Sequence, residues 1–236
     1  MISRNIVLVQ GSWGSSAAWT PVADGLRRLG HRVFVPSLTG LGERMHLAGG
    51  HINLDTHIAD VCGLIEAEGL ADVDLVGHSS GGMVITGVAD RFAERIRSLV
   101  YLDAFVPEDG QSILDLSGTE IALSSLAAAG ENGGTSVPPP VRSYSRIPDH
   151  LRHYTNGRSA QPFATMVQKI SLTGAYLKIA RKLYVAAGIE QSAVFASTYA
   201  RVGADPAWMS MQVESGHMMQ LEMPDTICRI IDEFVG

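Results

Sequence analysis

The residues whose spacing carries chemistry are Gly77-His78-Ser79-Ser80-Gly81, a Gly-x-Ser-x-Gly pattern. A serine hydroxyl is a weak nucleophile until a base takes its proton. The pattern also has to hold that hydroxyl outward, which it does on a sharp strand-to-helix turn where glycines let neighbouring chain pack close. Val73, Leu75 and Val76 precede it as a strand, and a helix is predicted from about Ser80 to Phe92. Ser79 would then stand at a helix N-terminus, where free N–H groups favour developing negative charge. In a chain with 25 glycines the pattern alone is a weak signal; its strand-turn-helix context gives it weight.

A base must reach that serine. Most of the eight histidines lie in polar loops or on helices, where a solvated role suffices. His217 differs, because it follows a predicted strand at 208–214 and the turn Ser215-Gly216, just before the last helix. His78, beside the serine, is expected to point away from it, since neighbours on a tight turn diverge. An oxyanion needs two N–H donors aimed at one point. The amide of Ser80 is one candidate; the Ser12 amide, in the loop Gln10-Gly11-Ser12-Trp13 after the first strand, is the other. The acid that would orient the imidazole is Asp103, ending the fourth strand, or Glu190, following the fifth. Asp103 is preferred: the sheet fixes its position, whereas Glu190 follows Gly188 and has one more rotatable bond to immobilise.

The elements that must position these groups alternate between strand-length apolar runs and helical spacing, which argues for an α/β protein with a mostly parallel sheet. Strands are predicted at 6–10, 32–36, 72–78, 96–104, 182–187 and 208–214, about six in all, with helices on both faces. Trp19, Val22, Ala23 and Leu26 fall at i, i+3, i+4, i+7, and Gly30 reads as the residue closing that helix. Ile58, Val61, Cys62 and Ile65 repeat the spacing, with Asn53 or Asp55 as N-cap, and Ile227, Ile230, Ile231 and Phe234 form the last helix. Residues 105–181 break the rhythm with an Ala/Ser/Gly stretch and Pro138-Pro139-Pro140. A structureless loop of that length is improbable in a compact domain, so the segment is read as a small helical cap inserted into a core of 1–104 and 182–236.

Composition narrows the class. With 236 residues, 46% hydrophobic and 18% charged, the chain suits one domain with a sizeable core. A net charge of −6 leaves no basic footprint, so no nucleic-acid partner is expected. No stretch approaches the roughly 20 apolar residues of a membrane span, so no membrane partner is expected either. The first apolar run, residues 6–9, is too brief for a signal sequence. Cys62 and Cys228 lack metal-ligand spacing and read as reduced, partly buried thiols, in line with a cytoplasmic location. No metal or organic cofactor is implied, and a homodimer is compatible with the sequence.

Together these residues resemble the α/β-hydrolase superfamily, in the branch of the plant hydroxynitrile lyases, plant methyl esterases and many bacterial esterase-like proteins. The resemblance runs over nearly the whole chain. It rests on Leu8 to Trp13, Leu38 to Arg44, Val76 to Met83, Tyr101 to Gln111 and Gly216-His217-Met218. It implies the α/β-hydrolase fold, catalytic Ser79 and His217, and an oxyanion hole at Ser12 and Ser80. Three departures stand out. The chain has Gln10-Gly11 where such proteins usually carry His-Gly, which bears on support of the oxyanion loop. It has Gly188-Ile189-Glu190-Gln191 where many carry an Asp after the fifth strand. And it has Met218 where the lyases carry a Lys for the departing cyanide. The expected reaction is serine-dependent cleavage of a small ester with an apolar part, or of a lactone, through an acyl-enzyme. A lyase using the same triad and a weakly catalytic ligand receptor on the same fold are the rivals.

Overall fold

The computed structural model describes residues 3–189 and 191–236. Six parallel strands form one sheet: β1 (Asn5–Val9), β2 (Arg32–Phe34), β3 (Val73–His78), β4 (Ile96–Leu102), β5 (Arg181–Ala187) and β6 (Met209–Val213). Their spatial order is β2-β1-β3-β4-β5-β6. The helices are α1 (Thr20–Arg28), α2 (Leu54–Ala67), α3 (Gly81–Arg91), α4 (Ile113–Ser117), α5 (Thr119–Glu131), α6 (Ala164–Val167), α7 (Ala193–Gly203), α8 (Met219–Glu222) and α9 (Pro224–Val235).

The two-residue period of a strand sends neighbours to opposite faces, and here both faces are covered, which is why the central strands are apolar throughout. Ile6, Leu8, Val100, Leu102, Leu183 and Val185 pack with α1 and α9. Val7, Val9, Leu99, Tyr101, Tyr184 and Ala186 pack with α2, α3 and α7. Local signals stop and start the helices as their chemistry dictates. Gly30 (φ 92°) lets the chain leave α1 in a Schellman turn, in which the His31 N–H reaches the Leu26 carbonyl and the Gly30 N–H reaches that of Arg27. Asn53 caps α2 reciprocally: its side chain accepts from the Thr56 N–H, and the Thr56 hydroxyl accepts from the Asn53 N–H.

The sheet order reverses direction at β1, since β2 lies on one side of it and β3 on the other. The crossovers leaving β1 and β3 therefore diverge, and a crevice opens beyond their C-terminal ends. The Ser12 loop and the Ser79 turn both lie there. Residues 103–180 link β4 to β5 and carry α4, α5, α6 and two 3-10 stretches, Asp149–Thr155 and Ala175–Lys178. They also contain an antiparallel ribbon of Ser136–Val137 with Gln161–Pro162, too short for any alternation to announce it in sequence.

Candidate active site

Ser79 occupies the turn between β3 and α3 with φ +56°, a left-handed conformation costly for a residue bearing a Cβ. Its backbone is tied on both sides. The Ser79 N–H donates to the Leu102 carbonyl (3.3 Å), and its own carbonyl accepts from Gly82 and Phe105 (both 3.1 Å). The closeness of the turn to β1 explains Gly81: a Cβ there would lie 2.6 Å from the Val9 carbonyl oxygen.

Asp103 directly follows β4 and is also left-handed, at φ +42°. Its N–H continues the ladder to Val185 (2.8 Å), and its carboxylate is buried. One oxygen accepts from the Ala187 N–H (3.2 Å) and the other from His217 Nδ1 at 2.7 Å. Because Nδ1 donates, Nε2 of His217 is left as the acceptor. Two rings pack against the imidazole: Phe195 of α7 stacks on it at 5.1 Å with 13° between planes, and His78 sits 4.6 Å away, tilted by 43°. Ser79 and His217 line one pocket without a hydrogen bond between their side chains; such bonds often tighten only once substrate is bound.

Ser12 and Ser80 meet across the crevice through a hydroxyl–hydroxyl bond of 2.9 Å. Neither of their backbone N–H groups has an acceptor among the described residues. The Ser12 loop is pinned from the insertion. The Trp13 N–H donates to Gln161 Oε1 and its indole N–H to the Val137 carbonyl, both at 2.9 Å, while its carbonyl accepts from Ser159. Trp13 is left-handed too (φ 60°), so three of the four non-glycine residues with positive φ among the described residues, Trp13, Ser79 and Asp103, belong to this site. Gln10 supports the same loop by donating from Nε2 to the Gly14 carbonyl (3.2 Å). The pocket above also takes Arg142, Tyr144, Tyr154 and Arg158 from the insertion, and no carboxylate lines it among the described residues.

Residues 6–230 match the profile of the Alpha/beta hydrolase family. This chain belongs to that family. A carbendazim hydrolyzing esterase of Nocardioides sp. (strain SG-4G) is 40% identical over 233 residues, spanning 94% of this chain and 96% of that protein. Among solved structures, an extracellular alpha/beta-hydrolase from a Paenibacillus species superposes with a TM-score of 0.82 at 23% identity, covering 98% of both chains. Tomato methylketone synthase I superposes at 0.78 with 17% identity, covering 99% of this chain and 98% of that one. The two structural likenesses speak for the fold alone.

In this alpha/beta hydrolase, then, the structure brings Ser12, Ser79, Ser80, Asp103 and His217 to one crevice. Glu190 lies outside the described residues. Sequence reasoning missed Gln161 and Phe195, which reach the site from 148 residues beyond Trp13 and from α7; no local pattern marks either. It also missed what His78 does. That ring lines the same pocket as Ser79, and its Nε2 donates to the His217 carbonyl at 2.7 Å. Burial, then the neighbouring His217, hold its pKa well below the ordinary histidine value. His57, buried with Nε2 donating to the Thr39 carbonyl, is lowered by burial as well.

Both rings are therefore neutral in the folded protein. The unfolded chain binds protons below about pH 6.5 that these rings refuse. Their stabilising contribution is present above that pH and is lost as pH falls towards their depressed folded values. Tm should drop between pH 7.5 and pH 5.5, and His57→Gln/His78→Gln should flatten that drop while lowering Tm at pH 7.5. Calorimetry at the two pH values checks this; an unchanged slope in the variant rejects it.

Proposed function

We propose that this protein is a serine esterase that cleaves a small carboxylic ester with an apolar part, or a lactone, through an acyl-enzyme. One observation carries the reading: Ser79 on its left-handed turn and His217, held by Asp103 at 2.7 Å, face a single pocket. In the proposed cycle Ser79 Oγ attacks the carbonyl carbon as His217 Nε2 takes its proton. The amides of Ser12 and Ser80 and the N-terminus of α3 receive the oxyanion, and Asp103 stabilises the imidazolium. His217 returns the proton to the leaving alcohol, and water then repeats the sequence on the acyl-enzyme. The likeness to a carbendazim hydrolyzing esterase supports an ester-type substrate, and Trp13, Tyr144 and Met218 offer apolar surface to it.

The lyase reading turns on a cation for the departing cyanide. Met218 supplies none, but Arg142 and Arg158 reach the same pocket from the insertion, which the sequence argument overlooked. Arg158 is engaged with the Pro140 carbonyl (3.0 Å) and lies over the Tyr144 ring. Turnover decides the matter. Purified protein should release phenol from phenyl acetate faster than cyanide from mandelonitrile under one set of conditions, and a fluorophosphonate should label Ser79. Faster cyanide release rejects the esterase in favour of the lyase. Labelling without steady turnover of any ester points to a receptor.

A further inference from the structure

Arg142 and Arg158 come from the insertion to line the crevice that holds Ser79, and no carboxylate among the described residues lines it with them. Arg158 is engaged: it donates to the Pro140 carbonyl at 3.0 Å and lies over the Tyr144 ring. Arg142 makes no hydrogen bond or ion pair with a described residue, and it stays open to solvent. Desolvation among the crevice walls, then the charge of Arg158, nonetheless hold its pKa below the ordinary arginine value. Two neighbouring cations without a counter-ion, in a chain of net charge −6, leave a local excess of positive charge that a bound anion would relieve.

The place of Arg142 says where on a substrate that anion would sit. Arg142, Tyr144, His217 and Met218 line both the crevice and a second groove, which Arg146 and Glu222 line as well. The Glu222 carboxylate is taken up by the Ser215 hydroxyl (3.1 Å) and the Gly216 N–H (2.7 Å). The crevice holds about 50 Å³, room for an acetyl-sized group, whereas the groove holds about 580 Å³. His217 must return its proton to the leaving alkoxide, so the alcohol oxygen lies beside that ring. The rest of the alcohol then runs past His217 and Met218 into the groove, with Arg142 on its way.

Resting on the esterase reading, we propose that the substrate is a short-chain acyl ester of an alcohol that carries a carboxylate, and that Arg142 receives this carboxylate where the crevice meets the groove. A planar guanidinium matches a planar carboxylate through two parallel N–H···O bonds. With Arg158 already engaged, one free guanidinium suits a singly charged group better than a phosphate. Tyr144 and Met218 cover the apolar stem between the ester and its charge. Hydrolysis adds water across the acyl C–O bond and yields a short acid and a hydroxy acid. Arg142 sets specificity and exchanges no proton in the reaction.

Three esters test the proposal: neutral phenyl acetate, 3-acetoxybenzoate with its charge on the alcohol side, and monophenyl succinate with its charge on the acyl side. The wild type should favour 3-acetoxybenzoate over phenyl acetate by about tenfold in kcat/KM, the scale of one hydrogen-bonded charge pair open to water. Monophenyl succinate should gain no such advantage. The preference should shrink in about 1 M salt, where charges are screened within about 3 Å. Arg142→Gln should lose most of it through a raised KM for the charged ester, while Arg142→Lys, which keeps the charge, should retain most of it. Residue 142 lies outside every helix and strand, so Tm should not move. No preference in the wild type, a preference that Arg142→Gln keeps, or an equal gain for monophenyl succinate overturns the proposal and leaves the esterase reading standing. A wild type that turns over no ester overturns both.

Discussion

Ser79→Ala is expected to lower kcat for ester hydrolysis by about 10⁴–10⁶ with the fold intact, the scale seen when a triad nucleophile is removed. The substitution is clean for a structural reason. Alanine keeps the Cβ that already sits in the left-handed turn, so no new backbone strain arises. The bond to Leu102 and those from Gly82 and Phe105 that hold the turn involve only main-chain atoms of residue 79 and survive. What disappears is the Oγ at the mouth of the pocket. Circular dichroism and Tm should match the parent protein, and fluorophosphonate labelling should vanish. Hydrolysis by the folded variant at a near-parental rate would falsify the assignment of Ser79.

Asp103→Asn should cost up to roughly 10⁴ in kcat with KM little changed. Asparagine fits the space and is among the residues most tolerant of the left-handed conformation that Asp103 adopts at φ +42°. Its single amide oxygen can accept from the Ala187 N–H or from His217, not from both. His217 Nδ1 therefore meets an amide nitrogen or an uncharged oxygen. In the first case the imidazole flips its tautomer and loses the basic Nε2; in the second the imidazolium formed during attack lacks its counter-charge. Glu190→Gln serves as the comparison. A crippled Glu190→Gln beside an active Asp103→Asn would transfer the role of acid to Glu190.

The fold was legible because covered faces leave plain traces. All six strands were predicted within two residues of their observed ends, since a parallel sheet buried on both sides must be apolar along each strand. Gly30 and Asn53 act locally and could be read locally. Ser79, His217 and Asp103 were legible for a related reason: each sits where a strand ends, and strand ends are what periodicity locates best. The groups that hold them were not. Gln161 pins the Ser12 loop across 148 residues, Phe195 stacks on His217 from a different helix, and His78 braces a carbonyl 139 residues away. These contacts depend on how the insertion and helices pack, and no residue spacing encodes that. The irregular segment 103–180 hid the ribbon and the two pocket arginines in the same way.

The left-handed backbones of Trp13, Ser79 and Asp103 bear on how this protein can be made hardier. Each such residue stores about 1–3 kcal/mol that a glycine would release. That relief is a net gain only where the side chain holds nothing else in the fold. Glycine at Trp13 would forfeit the indole bond to the Val137 carbonyl, and at Asp103 the bond from the Ala187 N–H. Laboratory selection for heat resistance alone, blind to turnover, would therefore be drawn to glycine at Ser79 and would reach a tougher protein by deleting the nucleophile. Selection that must preserve turnover is denied that gain and has to find its stability elsewhere. The active site thus sets a ceiling on the robustness of its own scaffold, and the ceiling is located at one residue.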